Sequence, residues 1–127
     1  MSDVSTKHPR FGFSAARRLK RSRDFDRVRL EGRTLRSGLL VLGVLPVENE
    51  ALFRAGFVTS RRVGGAVVRN RVRRRLREIV RRNQHEVTSG VWFVVIARPA
   101  AAAASSKALE VEWLRLARRA QLIRSES

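Results

Sequence analysis

Residues 60–82 read SRRVGGAVVRNRVRRRLREIVRR, and an apolar and a basic pattern overlap in them. Val68, Val72, Leu76, Ile79 and Val80 recur at helical spacing as one stripe, which predicts a helix over residues 66–83 that packs by a single edge. Asn70, Arg74, Arg77 and Arg81 fall on the opposite side, Arg71, Arg75 and Arg82 on one flank, and Arg69 and Arg73 on the other. Residues 61–82 hold ten arginines against one acid, Glu78. Like charges four residues apart, such as Arg69 with Arg73, destabilise a bare helix by a few tenths of a kcal/mol each. A polyanion removes that repulsion, so it explains the density better than a merely solvated face does. The Gly64-Gly65 turn exposes backbone N–H groups at the positive end of the helix dipole, which suits a phosphate. Asn70 is the neutral side chain there that both donates and accepts, which suits a base or ribose.

The rest of the chain is consistent with such a ligand. It has 127 residues, a net charge of +17, no cysteine and no tyrosine. That length predicts one compact domain. Lack of cysteine excludes a disulfide framework, a thiolate zinc site and a cysteine nucleophile. The longest apolar stretches, Gly38–Pro46 and Val91–Ala97, fall far short of the ~20 residues of a membrane helix, and the polar start from Met1 to Arg10 does not read as a secretory signal. A cytoplasmic protein is expected. Arginine supplies 25 of the 28 cations, and its planar fork suits phosphate and stacking, although a GC-rich gene also favours it. A charge of +17 on a small domain costs stability through self-repulsion unless a polyanion is present.

Working outward from the basic helix, residues 1–16 read as a mobile basic arm and residues 17–124 as a single RNA-binding domain. Ser22, followed by Asp24 and Asp26, resembles an N-cap for a short helix over Arg23–Glu31, closed by Gly32. Leu39–Leu45 is a continuous apolar run of strand length. After a turn at Pro46–Glu50, Leu52–Ser60 alternates, with Phe53, Ala55, Phe57 and Thr59 on one face and Arg54, Gly56, Val58 and Ser60 on the other. The two runs predict an antiparallel hairpin. Val91–Ala97 reads as a buried strand stopped by Pro99. Ser105 and Ser106 cap a final helix to about Ile123, with an apolar stripe of Leu109, Trp113, Leu116, Ala117 and Ala120 and a basic side of Arg115, Arg118, Arg119 and Arg124.

No residue set suggests hydrolysis by the protein itself. Asp24 and Asp26 sit two apart on a helix and point in different directions, unlike a two-metal carboxylate site. Glu48 and Glu50 belong to a turn. His8 lies in the arm and His85 in a polar turn, both ordinary surface positions. No catalytic residue and no metal ligand is expected.

The string Arg69-Asn70-Arg71-Val72-Arg73-Arg74, with Arg77 one turn later and Gly64, Ala66 and Val67 before it, resembles the signature of the bacterial ribonuclease P protein component. Arg18-Leu19, Asp24-Phe25, Val28, Gly32, Gly56, Ser60-Arg61-Arg62-Val63-Gly64 and Ile96-Ala97-Arg98 fall in the same order and spacing, so the likeness runs from about Arg17 to Leu122. The resemblance implies an α/β fold of the α+β sandwich kind, in the order αβββαβα. A four-stranded sheet would pack with three helices, and a left-handed βαβ crossover would run through the basic helix. It implies the protein subunit of an endoribonuclease that removes the 5′ leader of precursor tRNA. In that family the RNA subunit performs the hydrolysis with Mg²⁺ and no further protein partner is required. By the same likeness Arg61, Arg62, Arg69, Asn70, Arg71, Arg73, Arg74 and Arg77 contact the catalytic RNA, while Phe25, Arg18 and Arg29 contact the leader. Relatives often carry aromatics where this chain has Arg29 and Gly43, which implies a more electrostatic leader contact here.

Composition alone fits a structural RNA-binding protein of ribosomal or tRNA-chaperone type equally well. A duplex-DNA reader is disfavoured because no helix precedes the basic one at helix-turn-helix spacing. Membrane-surface binding is weaker still, since the apolar stripe is needed for the core.

Overall fold

The computed structural model describes residues 17–123. The expectations for the arm over residues 1–16, for His8 and for Arg124 lie outside the described residues. Three helices, α1 (Ser22–Glu31), α2 (Ala66–Arg82) and α3 (Ser106–Arg119), accompany four strands, β1 (Arg33–Arg36), β2 (Leu40–Pro46), β3 (Phe53–Thr59) and β4 (Val91–Ala97). Short 3₁₀ turns occupy Gln84–Glu86 and Pro99–Ala103. This is the expected αβββαβα order.

The sheet runs β1-β2-β4-β3. The hairpin expected from Leu39–Leu45 and Leu52–Ser60 does not form: β2 pairs antiparallel with β4 and β3 pairs parallel with it. β4, VWFVVIA, is apolar on both faces and lies inside the sheet, where both of its edges are bonded, one face is covered and the other partly so. Residues 47–52 make the longer step from β2 past β4 to β3. β1 has one buried residue, Leu35, in four, so periodicity did not reveal it. Its charged, exposed neighbours suit an edge strand.

Alternation along the strands splits the interior in two. Leu40, Leu42, Val44, Phe53, Ala55, Val91, Phe93 and Val95 face α2 and α3, whose Val72, Leu76, Ile79, Leu109, Trp113 and Leu116 complete the main core. Phe53, Phe93 and Trp113 stack in series there, with ring centroids 5.7 and 6.3 Å apart. The opposite face carries a smaller cluster, in which Leu19, Val28, Leu45 and Val94 are buried and Phe25, Val58, Trp92 and Ile96 are partly so. α1 covers only part of that face.

The β3–α2–β4 crossover is left-handed, against the usual rule. Ala55 turns its side chain toward α2 and its carbonyl outward to Leu19 N at 2.9 Å, away from β4. For an L-residue seen from its side-chain side with the strand running up, the backbone polar groups point right. β4 therefore lies to the left of β3 while α2 passes in front.

Local chemistry sets the helix ends. The N-cap of α1 is Arg21, not Ser22, and no side chain caps it. α3 is capped as expected, with Ser105 Oγ accepting from Ala108 N at 3.0 Å. It stops at Arg119 rather than Ile123, because Gln121 takes a positive φ and the chain folds back to bury Leu122 and Ile123. Gly64 also has positive φ, +153°, at the turn into α2.

Candidate RNA interface

α2 lays its apolar stripe on the main core, with Val72, Leu76, Ile79 and Val80 buried, so its remaining circumference carries the arginines. These fall into three groups with different partners. Arg81 and Arg82, in the last turn, are neutralised internally. Arg81 donates to Glu78 at 2.9 and 2.6 Å, and Arg82 pairs with Glu110 of α3 at 2.8 Å. The Arg81 hydrogen bond holds Glu78 below the usual carboxylate range despite partial burial. At Glu110 burial works upward, but Asn83 and Arg82 outweigh it and lower the pKa.

A second group leans on the 3₁₀ turn at residues 99–103. Arg71 donates to the Ala102 carbonyl at 3.4 Å and Arg75 to that of Ala104 at 3.1 Å. They line a trough of about 450 Å³ with Arg74, Arg77, Glu78, Ile79, Arg82 and Ser106, in which Glu78 is turned to Arg81 and Arg82.

The third group is an edge without acids. Among the described residues no carboxylate lies within ion-pair distance of Arg69, Arg73, Arg74 or Arg77. Burial, then the nearby cations Arg18 and Arg73, lower the pKa of Arg77 from its ordinary value. Asn70, Arg73, Arg74, Arg77 and the exposed Val67 form one shallow pocket of about 420 Å³. Arg61 and Arg62 are exposed in the turn before α2, whose N-cap, Gly65, offers no side-chain acceptor to the first helical N–H groups. Such an arrangement of unpaired guanidinium groups and free helix N–H donors fits a polyphosphate backbone.

The other candidate surface is the uncovered part of the α1 face. Phe25, Val28, Arg29, Thr34, Arg36, Val41, Gly43, Val58, Val94 and Ile96 line a groove of about 400 Å³. Its floor is apolar and its rim bears Arg29, held to Asp26 at 3.0 Å, and Arg36. The Phe25 ring lies over Gly56, where an added Cβ would come within 2.3 Å of the ring. A glycine in β3 therefore makes room for the aromatic in α1.

The structure brings Phe25 and Arg29 together but sets Arg18 apart from them. Arg18 bridges to Ala55 along the outer edge of β3, near Arg77. Thr34 and Arg36 entered the groove without any sequence signal, because β1 was not legible. Thr59, whose hydroxyl accepts from Arg73 at 2.7 Å, had been placed on the correct face of β3 but without a role.

Comparison with known proteins agrees with this geometry. Residues 5–121 match the family model described as Ribonuclease P. The ribonuclease P protein component of Brevibacillus brevis is 38% identical over 84% of this chain and 85% of its own length. That of Roseiflexus castenholzii is 41% identical over 85% of this chain and 88% of its own. The solved RNase P protein from Thermotoga maritima superposes with a TM-score of 0.72 at 30% identity, covering 87% of this chain and 98% of that one. With matches of that length at that identity, the chain belongs to the ribonuclease P protein family.

Proposed function

We propose that this chain, as the protein subunit of ribonuclease P, grips the catalytic RNA along the acid-free edge of α2 and the 5′ leader of precursor tRNA in the groove beside α1. The observation that carries this reading is the pairing of two unlike surfaces on one small domain. The edge, with Arg61, Arg62, Arg69, Asn70, Arg73, Arg74 and Arg77, and the neighbouring carbonyl-bound Arg71 suit the closely spaced phosphates of a folded RNA. The groove suits unpaired nucleotides: Phe25 offers a stacking face, Arg29 and Arg36 a phosphate or a second plane, and the apolar floor tolerates any base. Arg18, between the start of α1 and Arg77, sits where RNA passing from one surface to the other would run.

In this reading the RNA subunit performs the hydrolysis with Mg²⁺. Among the described residues no group of three or more His, Cys, Asp or Glu could hold a metal ion. The protein's contribution is positioning and charge neutralisation. Among the same residues no helix is long and apolar enough to cross a membrane.

The test is reconstitution. Adding the purified chain to its cognate catalytic RNA at low Mg²⁺ restores accurate 5′ cleavage of precursor tRNA. Absence of stimulation across a full Mg²⁺ titration would overturn the reading and favour a purely structural RNA-binding role.

A further inference from the structure

Among the described residues the one buried polar side chain is that of Thr59, 8% exposed at the end of β3. Its hydroxyl accepts a hydrogen bond from Arg73 Nη2 at 2.7 Å, and Arg73 Nη1 donates to Asn70 Oδ1 at 2.7 Å. One guanidinium therefore spans strand and helix, held at both ends. A guanidinium carries only donors, so the amide atom facing it is the Asn70 oxygen. The Asn70 amide nitrogen is left at an exposed position, with no acceptor among the described residues, in the pocket that Val67, Arg74 and Arg77 share with it. An asparagine free to rotate could turn either end outward; this one is held with its oxygen on Arg73, so the end it turns outward is the donor.

We propose that Thr59 is a positioning residue for RNA recognition, acting through Arg73 to fix Asn70 as a donor, and that the RNA atom Asn70 reads is an acceptor, a base or ribose oxygen or a ring nitrogen. The inference rests on the catalytic RNA binding this edge. Arg74 and Arg77 hold the flanking phosphates while the fixed amide selects the nucleotide between them.

The experiment measures affinity of the full chain for its cognate catalytic RNA, with melting temperature as a control. Thr59→Val is nearly isosteric and favourable in a strand, but removes the acceptor. It should weaken binding roughly three- to tenfold, the worth of one hydrogen bond, while Thr59→Ser restores it. Asn70→Asp keeps the Arg73 contact but presents only acceptors, so it should lose at least as much affinity as Asn70→Ala. In the Asn70→Ala background, Thr59→Val should cost clearly less than in the wild type, since only the contact of Arg73 itself remains to be lost. Wild-type affinity in Thr59→Val or in Asn70→Asp overturns the proposal, and so does an equal loss from Thr59→Val with and without Asn70. A wild-type chain that does not bind the RNA overturns the assignment of the edge together with this inference, which sets that failure apart from the others.

Discussion

The edge of α2 and the groove beside α1 flank the same sheet and differ in almost every physical respect. The edge carries a shallow, cationic pocket braced by the hydrogen bonds of Arg73; the groove is apolar, with two arginines at its rim. Binding by the first is dominated by counterion release and weakens steeply with salt, whereas stacking and apolar contact in the second depend on salt far less. Charge density alone does not mark the edge, because the last turn of α2 is as arginine-rich and is neutralised by Glu78 and Glu110. What marks it is that no acid of the described residues reaches it.

The largest expected effect tests that distinction. Arg74→Gln with Arg77→Gln should weaken catalytic-RNA binding by roughly a hundredfold or more, since hydrogen bonds from charged groups contribute about 1.5–3 kcal/mol each. It should also lower the slope of log K against log salt by about 1.4–1.8, at roughly 0.7–0.9 per phosphate contact. Arg81→Gln with Arg82→Gln removes the same formal charge from the paired turn. Equal losses from the two double variants in a salt titration would show that net charge, not the acid-free edge, directs binding.

A smaller effect belongs to the groove. Phe25→Ala should weaken binding of leader-containing substrate by about 1–3 kcal/mol, with the salt slope unchanged. Gly56→Ala should copy it without touching the aromatic, because the added Cβ would lie 2.3 Å from the Phe25 ring and displace it. Gly43→Ala is the control: its Cβ would meet Val28 Cγ1 at 3.3 Å, on the same floor but clear of the ring. If Gly56→Ala leaves leader affinity intact while Phe25→Ala abolishes it, the ring stacks from a position other than the one over β3.

How much of this was legible in sequence follows from how local each feature is. α2 and its sidedness, β4, and the Ser105 cap rest on short-range periodicity and capping, and all three are present. Pairing of β2 with β4 is a long-range choice, so a plausible turn at Pro46–Glu50 pointed to the wrong partner. The crossover hand and the presence of β1 came from family likeness rather than from residue patterns. At the site, the arginines were countable in advance, but their division into paired, carbonyl-bound and free groups depends on Glu110, Ala102 and Ala104, about thirty residues away in sequence. Family likeness groups Arg18 with Phe25 as a leader contact, and pairing of its segment with β3 brings it near Arg77, which no local pattern foretells.

The smallest expected effect concerns the paired turn, and its sign is set by the carboxylates. Glu78 and Glu110 have pKa values lowered from 4.5 by their arginine and asparagine partners. A group with a depressed folded-state pKa stabilises the fold above its unfolded value, and that contribution disappears as pH falls through the folded one. Melting temperature should therefore drop as pH is lowered below about 4.5, and Glu78→Gln with Glu110→Gln should melt lower at pH 6 and show a shallower acid decline. Both pairs are partly exposed, so the change should be modest. The same double variant frees Arg81 and Arg82, extending the unpaired edge by one turn. It should tighten RNA binding slightly at neutral pH while it destabilises the free protein. A variant that loses stability without gaining affinity would show that the RNA footprint ends at Arg77.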